Sequence, residues 1–265
     1  MILPLPTKAT LSLALHLVRS RFVVKLAWGM GALTTLVGMG LAGMLAKEGA
    51  NPPLASLLLL MENAFAYGIG FLVAFGGATQ AFRQDRDEGI RALLAARGVT
   101  TSEYLVARVA GLALAVAIPT VGGTALTGLV ALLVAHRASV LPETARAVLV
   151  GVGYASAFSL MVALVALVAL GARNRAGGYI VLVVLFLLPD FLSPWTSPLV
   201  PPAWAGLVSL PGVLTTLRDT LLPGSFDGAL LVRGLAALAG VLLVLALLVR
   251  AELFRLDSDG GGRSR

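Results

Sequence analysis

The largest group of charged residues in the chain lies between positions 83 and 103, with long apolar runs on both sides. Four arginines and three acidic residues fall between positions 83 and 97. Each charge at the centre of a bilayer costs about 2.5–3.5 kcal/mol on insertion scales. We therefore expect this segment to be an aqueous loop between two membrane spans. Its candidate site residues are Arg83, Asp85, Arg86, Asp87, Glu88, Gly89, Ile90, Leu93, Leu94, Glu103 and Tyr104.

Within this loop, Asp85–Ala96 has the pattern of a short surface helix. Ile90, Leu93 and Leu94 are spaced at i, i+3 and i+4 and form one apolar edge. Three acidic residues lie before them, where negative charge stabilises the first turn of a helix. The pattern predicts a docking site for a protein outside the membrane. A solvated loop that binds nothing is the alternative.

The sequence also predicts where this helix ends and the next begins. Gly98 is a candidate for the position directly after a helix, where glycine is favoured. Thr100 and Glu103 have the spacing of a capping box, in which each side chain binds the backbone N–H of the other residue. We therefore expect the third span to begin directly after the loop.

Three polar residues interrupt apolar runs elsewhere. Glu62 and Asn63 lie within the second run, and Asp190 lies in the fifth. Polar residues inside a membrane often mark a functional site, so these three are candidates for a substrate path. A helix over residues 54–82 would be about 43 Å long, against about 30 Å for a bilayer core. Glu62 is therefore also consistent with a position at the membrane interface.

The residue types that enzymes use most often are scarce. The chain has no cysteine, and its two histidines, His16 and His136, are far apart, which argues against a metal site. It contains neither a G-x-x-x-x-G-K-[ST] phosphate loop nor a G-x-S-x-G nucleophile motif. We therefore expect no catalytic residue, metal or cofactor in this chain. An energised transporter would need ATP hydrolysed by another subunit.

Composition indicates an all-α polytopic membrane protein. The chain is 58% hydrophobic and 12% charged, with a mean hydropathy of +0.94, whereas soluble domains average about 45–50% and 25%. We predict six transmembrane helices, an N-terminal amphipathic elbow helix at 7–21 and a polar, glycine-rich tail. The predicted spans are residues 22–46, 55–81, 104–134, 144–170, 177–193 and 229–249.

The fifth apolar run is too short to span the membrane as a simple helix, unlike the other predicted spans. Residues 178–189 would reach only about 18 Å as a helix before Pro189 and Pro194 interrupt the pattern. Segment 194–227 is too apolar for a free loop. We predict short re-entrant helices at the outer leaflet, with Trp195 and Trp204 at headgroup level.

Basic residues predict the orientation. With the N-terminus inside, fifteen of the 20 lysines and arginines lie on the inner side and five on the outer side. This bias is the positive-inside pattern, so we expect both termini in the cytoplasm. It also accounts for the net charge of +7 without nucleic acid binding.

The charged loop resembles the first cytoplasmic loop of type-2 ABC transporter permeases. An elbow helix, six spans and a broken region after the fifth span are also similar to that family. The sequence departs from the family at Ile90, where threonine or serine is usual. The similar pieces are Phe82-Arg83, Asp85-Arg86-Asp87-Glu88-Gly89, Leu93-Leu94 and Thr101-Ser102-Glu103-Tyr104-Leu105.

The resemblance implies that Asp85–Ala96 is a coupling helix that docks into a separate ATPase subunit. Two permease copies, identical or closely paralogous, and two ATPase subunits carrying ATP and Mg would form the transporter. It would export a lipid-like, amphipathic or polymeric substrate across the bacterial cytoplasmic membrane.

Two alternatives remain open. The haem-exporter B permease of cytochrome c maturation has a similar Phe-Arg-x-Asp…Asp-Gly loop, and Arg173-Asn-Arg-Ala-Gly-Gly178 is similar to its sequence before the fifth span. A membrane anchor or scaffold would use the same loop to hold a soluble partner without transport. Co-purification with a P-loop ATPase would distinguish transport from anchoring.

Overall fold

The computed structural model describes residues 12, 22–47, 89, 93–94, 96–134, 141–170, 180, 183–184, 188–201, 204, 207, 209–222 and 226–261. Within these ranges the regular secondary structure is helical, and no β-strand occurs. The predicted all-α class is therefore confirmed for this part of the chain.

Three long helices form the first half of the described fold. Helix α1 covers Phe22–Lys47, α2 covers Thr101–Val134 and α3 covers Leu141–Leu170. Helix α2 packs against both α1 and α3. Helix α2 begins directly after Thr100, and α3 begins three residues before the start of its predicted span.

The second half combines short helices with one long helix. Helix α4 covers Leu188–Thr196 and is followed by a 3₁₀ turn at Ser197–Leu199. Helix α5 covers Leu210–Leu221, and α6 covers Gly228–Gly261. Helix α5 lies against both α3 and α6.

Four of the described helices are long and apolar enough to cross a membrane. The candidate spans are Val24–Met44, Ser102–Leu133, Leu141–Val165 and Gly228–Leu248. They coincide with the first, third, fourth and sixth predicted spans, so the chain is a multi-pass membrane protein. The elbow at 7–21, apart from a helical Ser12, and the span at 55–81 lie outside the described residues.

Two elements extend further than the sequence indicated. Helix α4 continues through Pro194 and ends at Thr196, so this proline does not end the helix. Helix α6 continues to Gly261, whereas we expected a polar tail after residue 249. Residues 251–256 are mostly good helix formers, which favours continuation until the glycines, where helices commonly end.

An indole hydrogen bond joins α1 to α2 where proline interrupts the backbone bonds of α2. Pro119 has no N–H, so the carbonyl of Ala115, four residues earlier, lacks its usual helical donor. Trp28 of α1 donates its Nε1–H to this carbonyl over 3.1 Å. The bond lets α2 continue through Pro119 without an unsatisfied carbonyl, which is costly in a membrane.

Small residues bring α2 and α3 into close contact. A Cβ atom placed on Gly128 would lie 2.6 Å from Cγ1 of Val148, so only glycine fits there without a shift. Further along the pair, the hydroxyls of Thr120 and Ser159 lie 3.2 Å apart and are buried. Small residues and hydroxyl pairs of this kind are how membrane helices associate.

Helix α5 is 12 residues long, about 18 Å, and therefore too short to cross a bilayer core of about 30 Å. Ser209 caps its start by accepting a hydrogen bond from the backbone N–H of Gly212 over 2.9 Å. On the α6 side, a Cβ atom on Gly234 would lie 2.7 Å from Cδ2 of Leu217. One short α-helix, α5, thus lies within the predicted segment 194–227 and packs closely on α6.

Candidate functional site

The loop before α2 contains a break that the sequence analysis did not predict. Gly89 has a φ of +66°, and a right-handed helix cannot continue through that backbone conformation. The carbonyl of Gly89 accepts a hydrogen bond from the N–H of Leu93 over 3.2 Å. A continuous helix over Asp85–Ala96 is therefore wrong. Among the described residues, the helical Leu93, Leu94 and Ala96 follow this break.

The end of the turn between Gly89 and Gly98 agrees with the prediction. Gly98 has a φ of +79°, the left-handed conformation in which glycine terminates helices. The N–H of Val99 binds the carbonyl of Leu94 over 3.0 Å, which is the longer hydrogen bond of a Schellman motif. The turn thus has a defined stop, and its orientation is fixed relative to the residues that follow.

The predicted capping box at the start of α2 is also confirmed. The N–H of Thr100 donates to Glu103 Oε2 over 2.9 Å, and the N–H of Glu103 donates to Thr100 Oγ1 over 3.3 Å. The Thr100 hydroxyl also donates to the same carboxylate oxygen. These bonds satisfy backbone N–H groups at the N-terminal end of α2 that have no helical acceptor. The carboxylate of Glu103 therefore holds the loop–helix junction in place.

Tyr104, which the resemblance placed in the coupling region, is buried. Its side chain is 6% exposed, and the guanidinium carbon of Arg108 lies 5.4 Å from its ring centroid. Arg108, one turn further into α2, is buried as well. Tyr104 thus packs the first turn of α2 and presents no surface to a partner.

Leu93 is a large, exposed apolar residue of this region. It is 64% exposed, and it lies on the turn between Gly89 and Gly98. Leu94, its neighbour, is half-buried. None of the described residues of the turn between Gly89 and Gly98 is a nucleophile or an acid–base group. The turn presents an apolar side chain in a fixed orientation, and such a site can bind a partner.

Most other predicted site residues lie outside the described part of the chain. Asp190 lies in α4, and only its backbone is described. The predicted substrate path of Glu62, Asn63 and Asp190 therefore lies outside the described side chains. The residues outside the described ranges are Glu62, Asn63, Arg83, Asp85, Arg86, Asp87, Glu88 and Ile90.

A buried arginine in α5 is another polar feature that the sequence analysis did not predict. Arg218, one of the five basic residues expected on the outer side, is 5% exposed. Its guanidinium carbon lies 4.8 Å from the ring centroid of Tyr154 in α3, and its Nε donates to Asp219 over 2.9 Å. A basic residue within an apolar, proline-rich segment was the available signal. The sequence did not indicate which ring would contact it.

A second arginine connects the same two helices. Arg146 of α3 donates its Nε–H to the carbonyl of Leu221 over 2.9 Å. This carbonyl belongs to the last turn of α5, where backbone carbonyls have no helical N–H partner. Positive charge is also favourable there. Two polar contacts therefore attach α5 to α3.

Among the described residues, no group of three or more His, Cys, Asp or Glu side chains is positioned to hold a metal ion. No family model matches the chain, and no curated protein matches it.

Proposed function

We propose that this chain is the permease subunit of an ATP-binding cassette exporter, and that the turn between Gly89 and Gly98 docks a separate ATPase. The observation that carries the proposal is the exposed Leu93 on a turn with a defined stop, directly before a capped membrane helix. A partner that pushes on this turn would move α2 with it, because the Schellman motif and the capping box join the two.

The energetics favour binding through Leu93. Complete burial of a leucine side chain contributes about 1.5–3 kcal/mol, and Leu93 is mostly exposed before any partner binds. Loss of that contribution corresponds to a roughly tenfold to hundredfold weaker Kd. Charged residues of the loop would fix the orientation of the partner and raise its association rate.

The rest of the proposal concerns the assembly. The permease spans the bacterial cytoplasmic membrane six times, with both termini in the cytoplasm. It pairs with a second permease copy and with two ATPase subunits that bind ATP and Mg, and it contacts membrane lipids. A lipid-like, amphipathic or polymeric substrate is what the resemblance to type-2 permeases implies. The positive-inside bias supports the orientation.

The test is ATP hydrolysis that co-purifies with the chain. The tagged protein is purified from cells that produce it naturally, and vanadate-sensitive ATPase activity is measured. We expect activity with the unmodified chain and a loss of at least tenfold when Leu93 and Leu94 are both replaced by serine. Ala96→Ser, an exposed change on the same turn, is the matched control and should retain activity.

Two outcomes would contradict the proposal. One is the absence of ATPase activity from the purified unmodified complex, which would favour an anchor or scaffold. The other is equal activity in the double serine variant, which would mean that the turn is a solvated loop.

A further inference from the structure

The charge of Arg218 is held beside the middle of a membrane-spanning helix. Tyr154, whose ring it contacts, is 13 residues from the start of α3 at Leu141, which corresponds to about 20 Å along the helix. Helix α3 is 30 residues long, so this point is close to its centre. A guanidinium at such a depth requires an explanation, because intramembrane charges are expensive.

Arg218 has a less costly position within reach. It lies one turn before the end of α5, and long basic side chains near helix ends normally extend to the membrane interface. Its partner, Asp219, already has a side chain that is 53% exposed. Arg218 could therefore keep this carboxylate as a partner in an exposed conformation. Two conformations with one shared ion partner form the basis of a switch.

Stability alone is a weak reason for the buried conformation. Apolar residues of similar volume often replace a buried charge pair at no net cost, whereas fixed geometry is a recognised use of such pairs. The contact between Arg218 and Tyr154 fixes α5 against α3 at one point, and the Arg146–Leu221 bond fixes it at a second. Helix α5 also packs on α6, where Leu217 meets Gly234, so the two helices can move together relative to α1, α2 and α3.

We propose that α5 moves as a unit relative to α1, α2 and α3, and that the contact between Arg218 and Tyr154 holds it in the closed position seen here. Arg218 is thus a positioning residue. In the open position its guanidinium leaves the ring and reaches water together with Asp219. Leu214, which is 4% exposed in the closed position, then becomes accessible. This proposal does not depend on the ATPase partner.

Single cysteines test the proposal, because the chain has none of its own. Leu214→Cys reports on α5, and Ala27→Cys, at a fully buried position of α1, is the control for the bundle. The full-length protein in lipid nanodiscs is treated with a maleimide, and the labelling rates are compared. Tyr154→Leu and Arg218→Met each remove the contact, whereas Tyr154→Phe keeps the ring.

In Tyr154→Leu and in Arg218→Met, we expect Leu214→Cys to react at least about tenfold faster, with an unchanged rate at Ala27→Cys. Tenfold corresponds to about 1.4 kcal/mol, within the range of a desolvated cation–π pair. Tyr154→Phe should keep the slow rate. An unchanged rate at Leu214→Cys in both variants would overturn the proposal. So would an equal increase at both cysteines, since the whole bundle would then open together.

Discussion

Replacement of Gly128 by alanine should destabilise the protein, although alanine is the better helix former. The added Cβ would lie 2.6 and 2.7 Å from the two γ carbons of Val148 and 3.2 Å from its Cβ. Overpacking of a tight contact destabilises a protein by about 1–3 kcal/mol. The higher helix propensity of alanine stabilises the helix by about 0.5–1 kcal/mol relative to glycine. The free energy of unfolding should therefore fall by about 0–2.5 kcal/mol.

The same helix offers a matched control for this prediction. A Cβ atom on Gly122 would have no neighbour within 4 Å, so Gly122→Ala should be neutral or stabilising. The difference between the two variants then isolates the steric cost, about 1–3 kcal/mol. Equilibrium unfolding in mixed micelles measures both free energies. If Gly128→Ala were as stable as Gly122→Ala, the close packing of α2 on α3 would be refuted.

Two further predictions concern other contacts of the fold. Trp28→Phe should lower the unfolding free energy by about 1–3 kcal/mol because it leaves the Ala115 carbonyl without a donor. A second change, Pro119→Ala, should recover part of the loss because it restores a backbone N–H for that carbonyl. The pair Leu217→Cys with Gly234→Cys should form a disulfide under mild oxidation, detectable by peptide mass, because these positions are in direct contact. Leu217→Cys with Gly240→Cys should not form one, since Gly240 faces open space.

Local signals predicted the end of the loop and the start of α2 well. Thr100 and Glu103 form a capping box with each other, and Gly98 ends a turn through its own backbone conformation. Interactions between residues three or four positions apart depend little on the rest of the fold, so the local sequence is enough to predict them. Length and hydropathy likewise identified the four described spans.

Other features depend on residues that are distant in sequence or on competing local preferences. The contact of Arg218 with Tyr154 joins positions 64 residues apart, and no local pattern indicates it. Gly89 lies within the predicted helix Asp85–Ala96, but its positive φ is incompatible with a continuous right-handed helix. The acidic residues that precede Gly89 in the sequence predicted a first helical turn, but glycine can adopt a positive φ because it has no Cβ.

The docking role of the turn between Gly89 and Gly98 is tested most directly by crosslinking in living cells. A photo-reactive benzophenone amino acid replaces Leu93, and the captured protein is identified by mass spectrometry. A control replaces Leu133, which is exposed at the far end of α2. We predict that Leu93, but not Leu133, captures a protein with a G-x-x-x-x-G-K-[ST] phosphate loop. Capture of only lipid, or of a partner without that motif, would contradict the proposed function.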